Sequence, residues 1–204
     1  MFFSFDGIDG VGKTTQMQQF CQWLSEQGHQ VVTCRDPGST ALGEKLRQIV
    51  LTSDESTPIF GLSEMLLYMA ARAQLVEEVI RPALSTGKTV VSDRYLLANI
   101  VYQGYAGGLD VQQVRDVGEI ATQALSPDCT FLLDMSPTDA RARMGEEEEL
   151  DRVESRGDEY RESLRQGFLQ EVERLGDNFH VVEADRAVDE IQQEIRAIAT
   201  RVLT

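Results

Sequence analysis

The opening stretch Phe2–Thr15, FFSFDGIDGVGKTT, constrains the fold more than any other part of the chain. An apolar run leads into Gly7-Ile-Asp-Gly-Val-Gly12-Lys13-Thr14, and a helical pattern follows. Strand, glycine-rich turn and helix in that order make a phosphate cradle of the form G-x-x-x-x-G-K-[ST]. Glycines allow backbone angles that turn amide hydrogens inward and let phosphate approach closely. The helix N-terminus adds partial positive charge. Gly7, Ile8, Asp9, Gly10, Val11, Gly12, Lys13, Thr14 and Thr15 are therefore expected to wrap ATP or GTP. Lys13 would reach the β and γ oxygens, and the Thr14 hydroxyl would ligate Mg²⁺. Asp9 is the oddity. At an effective dielectric of about 20, a carboxylate about 4 Å from a phosphate charge is repelled by roughly 4 kcal/mol.

A phosphate loop of this kind needs a sheet to hang from. Phe2–Phe5, Gln30–Cys34, Thr89–Ser92, Thr130–Asp134 and Phe179–Val182 read as strands. Helical patterns fall between them at about 13–27, 41–51, 63–85, 94–105, 110–125, 137–144, 158–175 and 188–203. Such alternation implies right-handed crossovers and a five-stranded parallel sheet covered by helices on both faces, an α/β class. No repeat or linker divides the 204 residues, so one domain is expected. Ligands in these sheets bind beyond the carboxyl ends of the strands. That places the functional residues in 6–15, 35–40, 93–94 and 134–136.

Bulk composition narrows the partners. A net charge of −15 argues against nonspecific binding of nucleic acid or acidic membranes, so positive charge must be gathered locally. Cys21, Cys34 and Cys129 are scattered, without a C-x-x-C pair, which suits a reducing cytosol rather than a disulfide or zinc framework. The start MFFSFDG has no basic region before a long apolar run, so neither a signal peptide nor a membrane span is expected.

Two arginines supply the local charge. Arg35 follows the second strand in RDPGST, and Arg94 follows the third in SDRY. Paired guanidiniums at the ligand edge suit a second phosphate, and Asp93 beside them suits Mg²⁺ or its waters. Tyr68 and Arg72, at i,i+4, share one helical face, apart from a core stripe of Leu66, Ala70, Ala73, Val76 and Ile80. Tyr95, Asn99, Tyr102 and Gln103 fall at i, i+4, i+7 and i+8, again one face. Rings beside an amide and a guanidinium can sandwich a base and bond its edge; plain core packing is the alternative, though buried polar groups would then need partners. The run Glu146–Glu149, flanked by Arg141, Arg143, Arg152 and Arg156, reads as a charged flap at about 143–157 or as a solvated loop.

Taken together, FDGIDGVGKTTQ, RDPGST, LLYMAARAQLVEEVIRPAL, SDRYLLANIVYQGYAGG, LLDMSP and ELDRVE resemble the thymidylate kinases over nearly the whole chain. The resemblance implies a P-loop NTPase of three α/β/α layers, nucleoside monophosphate kinase-like with a short lid, transferring the ATP γ-phosphoryl group to dTMP with Mg²⁺. It implies that Asp9 bonds the sugar 3′-hydroxyl, that Arg35 lies near the phosphates and that Pro37 is cis. Tyr68 stands where a Phe usually stacks on thymine. Arg72 would reach the base O4, Arg94 would hold the dTMP phosphate, and Asn99 and Gln103 would lie at the base edge. Tyr102 would sit beside the sugar 2′ carbon and disfavour a ribose. Gly10 stands where some members carry a loop arginine, which implies a lid arginine instead: Arg143, with Arg152 and Arg156 as rivals. The turn carries Asp36 and Ser39 where Glu and Gly are usual. A homodimer in the cytoplasm is also implied. Two other readings stay open: a kinase for dUMP, dCMP or a deoxynucleoside, and a noncatalytic nucleotide-binding switch.

Overall fold

The computed structural model describes residues 1–52, 56–144 and 157–204. Five strands, β1 (Phe2–Asp6), β2 (Val31–Arg35), β3 (Thr89–Asp93), β4 (Cys129–Asp134) and β5 (Phe179–Glu183), form one sheet in the order β2-β3-β1-β4-β5. Every neighbouring pair is parallel. Phe5 and Arg35 both pair with Asp93, so the carboxyl ends of β1, β2 and β3 lie level. This register brings Asp6, Arg35 and Asp93 to one edge of the sheet.

Side chains alternate between the two faces, as a pleated strand requires. Phe3, Phe5, Val91 and Phe131 enter the larger cluster, with Phe20 and Leu24 of α1 (Lys13–Glu26) and Ile191 and Ile195 of α9 (Val188–Leu203). Phe2 and Val90 turn to the other face, with Leu75, Val76, Ile80 and Tyr95. Two layers of helix thus enclose the sheet. Around Phe20, the rings of Phe3, Phe5, Trp23 and Phe131 have centroids 5.1–5.6 Å away, within the range for favourable aromatic contacts. None of the described helices is long and apolar enough to cross a membrane.

The helices depart from the simple pattern in two places. The expected helix 63–85 begins earlier, as α3 (Gly61–Leu75), and runs through a π-type stretch (Val76–Ile80) into α4 (Arg81–Ser85). The expected helix 94–105 is α5 (Leu96–Asn99) followed by a second π-type stretch (Ile100–Tyr105). Arg94 cannot start that helix because its φ is +65°, and Tyr95 is extended.

The core stripe expected on α3 is also corrected. Val76 and Ile80 are buried, but Leu66 is 48% exposed and Ala70 is exposed. The inward face carries Glu64, Met65, Met69 and Arg72 instead, because Asp36 of the turn after β2 and Asn99 and Gln103 offer those polar groups partners. Met65 and Met69 pack with Ile100 and with Val114 of α6 (Val111–Thr122).

A buried charge cluster ties the helices together. Glu171 of α8 (Asp158–Leu175) is fully buried and accepts from Arg115 of α6, from the Tyr105 hydroxyl at 3.0 Å and from Arg174 at 2.7 Å. Beyond α7 (Pro137–Met144), most of the expected 143–157 flap lies outside the described residues, including Glu146–Glu149, Arg152 and Arg156.

Candidate active site

The phosphate loop joins β1 to α1, with Gly7, Gly10 and Gly12 at φ of +137°, +90° and +91°. L side chains rarely adopt these values, which accounts for three glycines in six residues. Ile8 and Val11 turn their side chains into the core. Lys13 bends back over the loop: its Nζ donates to the Gly7 carbonyl at 3.1 Å, to the Ile8 carbonyl at 2.7 Å and to Asp9 Oδ1 at 3.2 Å. Burial and the nearby Arg94 lower the Lys13 pKa, and Asp9 opposes them. Gly10 has a steric role as well. A Cβ there would stand 2.3 Å from the Ala140 carbonyl oxygen of α7 and 2.9 Å from Met144 Cγ. With α7 so close, the loop has no room for an arginine at that position.

Arg94 faces Asp9 across the loop. One Nη donates to the Gly7 carbonyl at 2.8 Å and the other to Asp9 Oδ1 at 2.5 Å, while the guanidinium lies 5.2 Å from the Tyr102 ring centroid. The Tyr102 hydroxyl donates to Asp9 Oδ2 at 3.4 Å. Burial alone would raise the Asp9 pKa; Arg94 and Lys13 outweigh it and hold the carboxyl below its usual range. Asp9 is therefore ionised, and its charge is spent on two cations. The left-handed φ of Arg94 is a costly conformation for a residue with a Cβ, and such outliers concentrate at functional sites.

Two cavities meet at this pair. The first is lined by Pro37, Tyr68, Arg72, Asn99, Tyr102 and Gln103. The second is lined by Gly10, Gly12, Lys13, Thr14, Thr15, Arg35, Asp93 and Arg143. Asp9, Asp36, Arg47 and Arg94 line both. The expected residues thus separate into a phosphate-loop group and a ring-and-amide group with a shared wall. Arg35 falls with the phosphate loop, where Glu44 holds both oxygens at 3.1 Å from its Nη2. Arg143 lies in the same cavity, 3.5 Å from Asp185. Tyr95 does not reach either cavity; it is buried against Phe2, and its hydroxyl donates to the Leu125 carbonyl at 3.0 Å.

The far wall of the first cavity is a buried polar row. Arg72 Nε donates to Asp36 Oδ2 at 2.5 Å, one Nη to Asn99 Oδ1 at 2.7 Å and the other to the Tyr95 carbonyl at 3.2 Å. The Asp36–Pro37 peptide is cis. Two residues here were not singled out in the sequence. Asp36, noted there only as standing where Glu is usual in the turn, anchors Arg72. Arg47 donates to the Pro37 carbonyl at 3.4 Å and lines both cavities. Its signal was available: Gly43, Arg47 and Val50 stand at i, i+4 and i+7 on α2 (Ala41–Thr52), and Gly43 and Val50 are buried.

Oxygen donors suited to Mg²⁺ are present. Asp93 Oδ1 is buried without a hydrogen-bond partner among the described residues, in the cavity that also holds Thr14. No cluster of three or more acidic, His or Cys side chains occurs among the described residues. Sparse protein ligation fits Mg²⁺, which keeps its waters and binds substrate phosphates. Below the loop, burial pushes the Asp6 carboxyl up to about 7 against the lowering by Arg94 and Lys13.

A phosphate loop that shares a wall with a ring-and-amide cavity, on a sheet of this order, defines a nucleotide kinase of the P-loop class. The thymidylate kinase family model matches residues 5–195. The thymidylate kinase of Chlorobium luteolum is 43% identical, covering 100% of this chain and 96% of its own length. Those of Exiguobacterium sp. (42% identical; 96% of this chain, 92% of the relative) and Thermoanaerobacter sp. (39%; 99% and 98%) are similar over the same extent. The chain belongs to the thymidylate kinase family.

Proposed function

We propose that the chain transfers the γ-phosphoryl group of ATP to dTMP, giving dTDP and ADP. The observation that carries this reading is the Asp9–Arg94 pair, which lines the phosphate-loop cavity and the ring-and-amide cavity at once. ATP lies along Gly7–Thr15, and dTMP lies against Tyr68, Arg72, Asn99, Tyr102 and Gln103. Pro37 borders the dTMP cavity, and Arg35 stands near the phosphates. An oxygen of the dTMP phosphate attacks the γ-phosphorus, and the bond to the β–γ bridging oxygen breaks as ADP leaves. The attacking oxygen is already anionic, so no strong base is needed. Catalysis comes from alignment and charge neutralisation.

Each cation has a place in that account. Lys13 leaves its loop acceptors for the β and γ oxygens, and Arg94 takes the acceptor phosphate while keeping its contact with Gly7. Asp9 keeps both cations in register and offers its second oxygen to the sugar. Thr14 and Asp93 would hold Mg²⁺, which would supply positive charge to offset that of the phosphates. Arg143, on α7 and in the phosphate-loop cavity, supplies the further positive charge that Gly10 cannot.

A homodimer accounts for the exposed apolar side chains of α2, α3 and α6. Leu42, Ile49, Leu66 and Ile120 are 44–77% exposed on three helices that pack side by side. An unpaired apolar face of this kind suits a self-complementary contact. The cytoplasm, where ATP is plentiful and thiols stay reduced, suits the free Cys21, Cys34 and Cys129. A coupled assay of ADP release with ATP and Mg²⁺ tests the reaction. Release should depend on added dTMP; release that ignores dTMP would contradict it.

A further inference from the structure

Behind the ring-and-amide cavity lies one continuous hydrogen-bonded row. Arg72 donates to Asn99 Oδ1 at 2.7 Å, Asn99 Nδ2 donates to Gln103 Oε1 at 2.5 Å, and Gln103 Nε2 donates to Glu64 Oε1 at 3.0 Å. Arg72, Asn99 and Gln103 line the cavity. Glu64 does not; it sits behind them, 4% exposed.

The two ends of the row are not interchangeable with its middle. A guanidinium has donors only, and Glu64 accepts from the Gln103 amino group, whereas each amide can turn either way. Arg72 requires Asn99 to turn its oxygen inward. That leaves the Asn99 amino group facing Gln103, which must answer with its oxygen. From the other end, Glu64 requires the Gln103 amino group. Both ends dictate the same direction, so a reversed Gln103 would set oxygen against carboxylate and amino group against amino group.

The direction matters for what a base would meet. Each amide oxygen has a second acceptor site, and the Arg72 Nη that bonds the Tyr95 carbonyl has a second N–H. The wall therefore offers a donor beside an acceptor. A 4-oxo pyrimidine, with an O4 acceptor and an N3–H donor, complements that order. A 4-amino pyrimidine presents the reverse at both atoms.

We propose that Glu64 is a positioning residue that sets base selectivity: by pinning the Gln103 amide, and through it the row, it commits the site to 4-oxo over 4-amino pyrimidines. The proposal rests on the reading of this cavity as the dTMP site. It leaves the separation of dTMP from dUMP to other contacts, since both bases are 4-oxo.

The test compares kcat/KM for dTMP, dUMP and dCMP in the wild type and Glu64→Gln, with thermal unfolding and ATP affinity measured alongside. The variant's amide accepts either orientation of Gln103. The dCMP/dTMP ratio should then rise roughly tenfold, the equivalent of one hydrogen bond's bias, while the dUMP/dTMP ratio and ATP affinity hold. Adding Glu64→Gln to Gln103→Ala should move the ratio no further. If Glu64→Gln does not fold, Glu64→Asp carries the test, because its shortened carboxylate withdraws from Gln103. A folded variant with an unchanged dCMP/dTMP ratio, or an equal fall for all three substrates, would overturn the proposal. A wild type that does not use dTMP would instead overturn the reading of the site.

Discussion

Asp9 is the residue on which the account turns. In the sequence it stands as a carboxylate in a phosphate loop, and in the structure two cations claim it. Its removal frees Arg94 and Lys13 to repel each other and takes a contact from the acceptor side. Asp9→Ala should therefore raise the KM for dTMP far more than the dissociation constant for ATP; equal losses would reduce Asp9 to a local structural role. Arg94→Ala should lower dTMP turnover by about 10²–10³-fold, the usual effect of losing one group that neutralises transition-state charge, with ATP binding largely kept. Normal turnover would remove Arg94 from the mechanism. At Gly10, the Cβ of Gly10→Ala meets the Ala140 carbonyl at 2.3 Å in a left-handed backbone. That backbone alone costs about 1–2 kcal/mol, so the variant should melt lower than the parent. An unchanged melting temperature would mean that α7 yields freely. Asp9, Arg94 and Lys13 were legible in the sequence because loop spacing and strand ends fix where they stand. Arg47 and the anchoring role of Asp36 were not, since both depend on how α2 and α3 meet.

Among the elements, strands proved easier to read than helices. A buried parallel strand is a short apolar run, and all five fell within a residue or two of expectation. Helical faces are decided by partners instead. Leu66 and Ala70 looked like core, yet α3 turns Arg72 and Glu64 inward because Asp36, Asn99 and Gln103 satisfy them. The π-type stretches left no periodic signature that a 3.6-residue pattern would show. One of them, Ile100–Tyr105, is held by the Glu171 cluster. Burial alone would raise the Glu171 pKa; hydrogen bonds from Arg115 and Arg174 outweigh that and lower it below the ordinary 4.5. The unfolded chain thus takes up a proton first as pH falls. The cluster's stabilisation is complete above the unfolded value and is lost as pH drops through the folded one. Glu171→Gln should lower stability by about 1–2 kcal/mol at neutral pH, as the loss of charged hydrogen bonds would when Arg115 and Arg174 keep access to water. It should also flatten the loss of melting temperature as pH falls below about 4.5. An acid profile parallel to that of the wild type would contradict this.

At the scale of the whole molecule, the sheet brings the carboxyl ends of β1, β2 and β3 level, and the two cavities meet there. The alternation of strands and helices made that edge legible before any contact was known. Oligomeric state was not legible in the same way, because an apolar residue on a helix does not say which surface covers it. The homodimer proposal predicts that Leu66→Glu combined with Ile120→Glu shifts the chain to monomer in sedimentation velocity, with the far-UV spectrum unchanged. A parent that already sediments as a monomer would end it. The central claim, that this edge joins ATP to dTMP, is tested most directly by the rate of ADP release with ATP and Mg²⁺ across a panel of nucleoside monophosphates. The account predicts the highest kcat/KM for dTMP, above dUMP and dCMP. No excess for dTMP over those two would contradict it.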